Sequence, residues 1–170
     1  YFKGKYYIFA SMTLGVWVSE DMANWEAKRL PDNLPFYDYA PDVRAIGEYL
    51  YFTASSRDVK CSFYRTKDPI HGPYEEIPGY MDYWDPNLFQ DDDGRLYFYW
   101  GCANATPIWG IELDPATMEP MGQKKDLIFG DPYHIGYERF GEDHCEEPKS
   151  QAEIDALFQE FLDQCGEDAD

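Results

Sequence analysis

Two aspartates, Asp42 and Asp85, hold related places in the chain, each just behind an aromatic residue, Tyr39 and Trp84. Each precedes or opens a strand-like run that enters a glycine turn, Val43 to Ile46 before Gly47 and Asn87 to Gln90 before Gly94. Carboxylates beside aromatic faces suit cleavage of the bond between two sugars. One carboxyl protonates the departing oxygen, another activates water, and a third holds their pKa values apart through its charge. Each aspartate also has a plainer reading. Asp85-Pro86 is a common turn dipeptide, and Asp42 fits a turn element equally well. The run Asp91-Asp92-Asp93-Gly94 lacks the alternating Asp or Asn of a calcium loop and reads as a solvated hairpin turn.

The elements that must position these carboxylates recur along the chain. Gly4, Gly47 and Gly94 each open an aromatic and β-branched run, Tyr6 to Phe9, Tyr49 to Phe52 and Leu96 to Tyr99. A further strand follows in each unit and ends on an aspartate, Asp21, Asp68 or Asp114, the last two in Asp-Pro turns. A polar strand then closes each unit, near residues 25–30, 74–78 and 121–129. The second and third units carry one more strand ahead of the glycine, through Asp42 and through Asn87, which the first unit lacks. About four strands per unit of roughly 45 residues is the pattern of a propeller blade. The innermost strand of each blade faces the central channel, so carboxylates at the starts of successive inner strands can converge. The expected fold is all-β, about three blades of a propeller.

The C-terminal stretch breaks the pattern. Ser150 to Glu153 forms a capping box, with Ile154, Leu157, Phe158, Phe161 and Leu162 following at helical spacing and Gly166 at the stop. An amphipathic helix is expected over about 151–165, ahead of a frayed acidic end. The expected organisation is therefore a partial propeller domain over 1–147 and a helix with acidic tail over 148–170.

The net charge of −19 over 170 residues opposes binding to phosphate backbones, so no nucleic-acid partner is expected. No run of about 18 apolar residues is present, so no membrane span is expected. Aromatics make up 18% of the chain, which fits half-buried strands and stacking on sugar rings alike. Cys61, Cys102, Cys145 and Cys165 form no Cys-x-x-Cys pair and read as plain thiols. His134 and His144 lack partner ligands in sequence and read as loop histidines.

Three motifs resemble one known family. Tyr39-Ala40-Pro41-Asp42-Val43 is similar to the aromatic-Ala-Pro-acid motif of family 43 glycoside hydrolases. Trp84 to Arg95 resembles their third-blade motif, with Asp85, Leu88-Phe89 and the Asp-rich glycine turn in place. Ser19 to Trp25 resembles their Ser-x-Asp-x-x-x-Trp element. The likeness runs from residue 1 to about 147. It implies a five-bladed propeller that hydrolyses O-glycosyl bonds with inversion, using three carboxylates.

By that resemblance Asp85 is the carboxylate that tunes the acid's pKa and orients it. Tyr39, Ala40, Asp42 and Trp84 edge the sugar pocket. The catalytic base is expected ahead of Tyr1 and the acid beyond Gly136 to His144, where Glu138 and Glu142 read as loop residues lacking the acid's context. The 170 residues are accordingly expected to be an incomplete and, alone, inactive piece. No cofactor or metal is expected within them, although the complete family fold can hold a structural calcium ion. The implied substrates are plant-type oligo- or polysaccharides, with arabinofuranosidase or β-xylosidase action foremost. The alternative is a non-catalytic propeller that binds partners through its top face. The compartment is left open by the sequence.

Overall fold

The computed structural model describes residues 1–11, 15–34, 40–55, 60–103, 106–131, 134 and 149–165, with side chains to residue 159 in the last segment. The described strands form three antiparallel sheets. The first contains β1 (Tyr6–Phe9), β2 (Gly15–Ser19) and β3 (Glu26–Arg29). The second contains β4 (Asp42–Ile46), β5 (Tyr49–Thr53), β6 (Phe63–Thr66) and β7 (Glu75–Ile77). The third contains β8 (Asn87–Gln90), β9 (Leu96–Trp100), β10 (Ile108–Leu113) and β11 (Pro120–Ile128). Within each sheet, spatial order follows chain order, which is the meander of a propeller blade. The innermost strands β4 and β8 lie against each other, as strands around a common axis must. The chain is thus a partial β-propeller of three blades with a C-terminal helix.

Two hydrophobic layers join the blades. Val16, Val18, Leu30, Phe52, Ala54 and Tyr74 fill the space between the first and second. Tyr51, Phe63, Tyr83, Leu88, Phe98 and Leu113 fill that between the second and third. Neighbouring residues Tyr51 and Phe52 therefore serve opposite layers, as the two-residue period of a strand requires. This explains why β5 is apolar without alternation: both of its faces are covered. In β9, Leu96, Phe98 and Trp100 are buried, whereas Tyr97 and Tyr99 on the other face are only partly covered. Phe98, fully buried, meets Phe63 and Tyr83 edge-on at centroid distances of 5.3 and 4.7 Å. That is the preferred geometry for aromatic pairs.

The aspartates that follow β2, β6 and β10 share one job. Asp21 Oδ1 accepts the N–H groups of Ala23 and Asn24 at 2.9 and 2.8 Å. Asp68 Oδ1 accepts those of Ile70 and His71 at 3.0 and 3.1 Å, and Asp114 Oδ1 those of Ala116 and Thr117 at 2.7 and 3.3 Å. Each carboxylate closes the same Asx-type turn, so the sequence repeat is a repeat of hydrogen bonding.

The pairing corrects the alignment on glycine. Phe2 bridges Lys5, so Lys3 and Gly4 form the first turn, both with positive φ (47° and 84°). Ile46 pairs with Tyr49, so Gly47 and Glu48 form the second, and there only Gly47 has positive φ, 58°. Two-residue hairpin turns accept glycine at either place, because the primed turn types differ in which residue is left-handed. Hence Phe9 corresponds to Thr53, not to Phe52.

Helix α1 (Gln151–Cys165) begins as the capping box directs. Ser150 Oγ accepts the Glu153 N–H at 3.4 Å, and Glu153 Oε2 accepts the Ser150 N–H at 2.7 Å. Ile154, Leu157 and Phe158 are exposed along it. Phe161 and Leu162 carry side chains outside the described set, and Gly166 lies outside the described residues.

Candidate active site

The inner strands β4 and β8 are each entered through an X-Pro step, Ala40-Pro41-Asp42 and Asp85-Pro86-Asn87. Asp42 lies opposite Thr53, and Asn87 opposite Tyr99, in equivalent strand pairs. The shared X-Pro step, with a positive φ at Ala40 and at Asp85 alike, aligns Asp42 with Asn87 and Ala40 with Asp85. The two aspartates are two residues out of register in the blade frame, which spacing to a glycine turn of variable length could not show.

Ala40 and Asp85 share an unusual backbone. Both have positive φ, 47° and 48°. Such a conformation is costly for residues with a Cβ and persists where surrounding contacts fix it. In both cases the backbone N–H donates to a serine hydroxyl of the preceding blade, two residues past β1 or β5. Ala40 N–H meets Ser11 Oγ at 2.9 Å, and Asp85 N–H meets Ser55 Oγ at 2.9 Å. The Asp85 side chain is exposed.

Asp42 faces the next blade. Its Oδ2 accepts the Leu88 N–H at 2.7 Å, and the Asn87 amide lies 3.5 Å from Oδ1. Burial pushes its carboxyl above the ordinary value, against the opposing pull of the Leu88 N–H. Arg44 Nε donates to the Leu88 carbonyl at 2.7 Å.

Trp84 is half-buried, and its carbonyl accepts the Gly101 N–H at 2.8 Å. It lines a cavity of about 290 Å³ with Trp100, Trp109 and Lys124. Trp100 and Trp109 stack at 6.1 Å, and Lys124 Nζ sits 4.4 Å from the Trp109 ring centroid. Tyr39 lies outside the described residues, as do Glu138, Glu142, His144 and Cys145. His134 is exposed and pairs with Asp131, Nδ1 to Oδ1 at 2.8 Å. Cys61 is buried, its thiol 3.7 Å from the Tyr83 carbonyl, whereas Cys102 is exposed. The described residues contain no cluster of three or more His, Cys, Asp or Glu that could hold a metal ion. No described helix is long and apolar enough to cross a membrane.

Sequence reading overlooked Ser11, Ser55 and Arg44. The recurring Ala-Ser step, Ala10-Ser11 and Ala54-Ser55, was the available signal. It is masked by the shifted glycine.

Three meander sheets whose inner strands β4 and β8 lie together define a partial β-propeller. Residues 1–139 match the sequence profile of Glycosyl hydrolases family 43, and the chain belongs to that family. Similar solved structures include a bifunctional GH43–CE protein of Bacteroides eggerthii, 22% identical with a TM-score of 0.62 over 77% of this chain and 20% of that one. An α-L-arabinofuranosidase of Clostridium thermocellum is 18% identical with a TM-score of 0.60, over 75% and 53% of the two chains. An exo-1,5-α-L-arabinanase from a bovine ruminal metagenomic library is 24% identical with a TM-score of 0.55, over 74% and 52%. The chain thus spans from a fifth to about half the length of these neighbours. No curated protein matches it.

Proposed function

We propose that the full-length protein is an inverting glycoside hydrolase acting on plant-type polysaccharides, with arabinofuranosides or β-xylosides as substrates. The reading rests on family membership together with one observation: Asp85 heads the third blade's inner strand with its side chain exposed and its backbone fixed in a rare conformation. Its role is that of the third carboxylate. Its negative charge raises the pKa of the acid that protonates the leaving oxygen, so that this acid stays protonated at the working pH. Ala40, Asp42 and Trp84 are read as substrate contacts, with Tyr39 assigned by its motif alone, and no residue within 1–170 is assigned as base or acid.

The test is Asp85→Asn in the full-length natural protein, assayed on aryl α-L-arabinofuranosides and aryl β-D-xylosides. Turnover should fall by roughly 100-fold or more, with the fold retained. The basic limb of the pH–rate profile should move to lower pH, because the acid loses its charged neighbour. An unchanged rate and profile would remove Asp85 from the mechanism. Polysaccharide binding by the wild type with no turnover would instead favour a non-catalytic propeller.

A further inference from the structure

The seam between the second and third blades carries more than packing. Several polar ties on the segment that presents Asp85 come from the second blade. The Asp85 N–H is held by Ser55 Oγ at 2.9 Å, and Ser55 is fully buried. The Leu88 N–H and carbonyl are held by Asp42 and Arg44, each at 2.7 Å. Tyr83, just upstream, bonds through its hydroxyl to Thr53.

The first seam supplies an internal comparison. Ser11 holds Ala40 in the same left-handed backbone, with the same donor, acceptor and distance. The geometry therefore belongs to the scaffold and not to the carboxylate. Where the residue in that slot is alanine the device only turns the chain, and where it is Asp85 the same device sets the direction of an acid. A residue with a Cβ does not hold φ near 48° unaided. With its acceptor gone, the buried-side N–H would seek another partner, and the backbone would relax toward the β region that the following proline favours.

We infer that Ser55 is a positioning residue for Asp85: its hydroxyl, delivered by the second blade, fixes the backbone that aims the third blade's carboxylate. Asp42 and Arg44 hold the strand behind it. The inference rests on the reading of Asp85 as a site carboxylate.

It is tested with Ser55→Ala in the full-length natural protein, alone and combined with Asp85→Asn. Ser55→Ala should lower kcat roughly 10- to 100-fold with KM little changed, because a misaimed group costs transition-state stabilisation, not substrate affinity. In the Asp85→Asn background the same substitution should cost little further kcat, since no carboxylate remains to be aimed. Ser55→Cys, which keeps the shape but offers a weak acceptor, should give a smaller loss of the same kind. Amide exchange at Asp85 should quicken at least 10-fold in Ser55→Ala, a readout that needs no turnover. Full kcat in Ser55→Ala beside a crippled Asp85→Asn would overturn the positioning role and leave Asp85 standing. Full kcat in both would overturn both. An equal loss in the two backgrounds, or unaltered Asp85 exchange, would make Ser55 a stability residue only.

Discussion

Asp42 and Leu88 join the second and third blades by a side chain acting as backbone: the Asp42 carboxylate accepts the Leu88 N–H at 2.7 Å. Two residues along the same strand, the Arg44 guanidinium donates to the Leu88 carbonyl at 2.7 Å. Both polar groups of Leu88 on the unpaired edge of β8 are thus satisfied without a ladder partner, while its side chain is buried in the layer between the blades. An inner strand needs this, because its far edge faces the axis and would otherwise present open hydrogen-bonding groups.

This arrangement predicts a coupled loss. Asp42→Ala should destabilise the protein by about 1–3 kcal/mol, because the Leu88 N–H loses its acceptor inside the seam. Arg44→Met should cost about 1 kcal/mol through the Leu88 carbonyl. The double variant should cost less than the sum, since both act on one residue. Urea titrations of the four proteins measure the cycle, and strict additivity would argue against a shared clamp.

A pH dependence follows from the same carboxylate. Burial places the folded-state pKa of Asp42 above its ordinary 3.8. A group raised on folding supports the fold while protonated, below its unfolded value, and that support is lost as pH rises through the folded value. The stability of the wild type relative to Asp42→Asn should therefore fall as pH climbs upward from about 3.8, the side chain's ordinary value. Unfolding free energies of both proteins across the acid range check the sign. A difference that grows with pH would contradict the burial of this carboxylate.

Two glycines should respond to alanine for different reasons. At Gly94, φ is 87° and an added Cβ would meet nothing within 4 Å, so Gly94→Ala should cost only the backbone strain, about 1–2 kcal/mol. At Gly79 an added Cβ would lie 1.5 Å from the Cys61 carbonyl oxygen, and the backbone would have to part there. Cys61 N–H also bonds the Met81 carbonyl, so the displacement would reach the second seam. Thermal melts should show Gly79→Ala far below Gly94→Ala. Comparable midpoints would show that the Cys61–Met81 segment yields freely.

Much of the architecture was legible in the chain. The aspartates after β2, β6 and β10, the aromatic strands β1, β5 and β9, and the capping box at Ser150 each announce a local structure written in nearby residues. Helix α1 spans Gln151–Cys165, as its apolar spacing implied. The three-sheet repeat was visible for the same reason: strand period and turn chemistry are written locally.

The site was legible only in part. The resemblance of Trp84 to Arg95 pointed to Asp85, and the related places of Asp42 and Asp85 in the chain prove to be two positions apart in the blade frame, where Asp85 matches Ala40. Register between strands depends on the length and type of the turn that joins them. The glycine turns differ in that respect, so spacing to a glycine does not fix the register of the strand before it.

By itself the sequence determined which segments become strands, where the helix starts and which carboxylate stands at the head of the third inner strand, because these follow from side-chain period and nearby hydrogen bonding. Only the tertiary structure decided that Ser55 and Asp85, thirty residues apart, share a hydrogen bond, and that Asp42 serves the neighbouring blade. Contacts across a seam between blades depend on where two separately formed sheets come to rest. No local pattern encodes that distance.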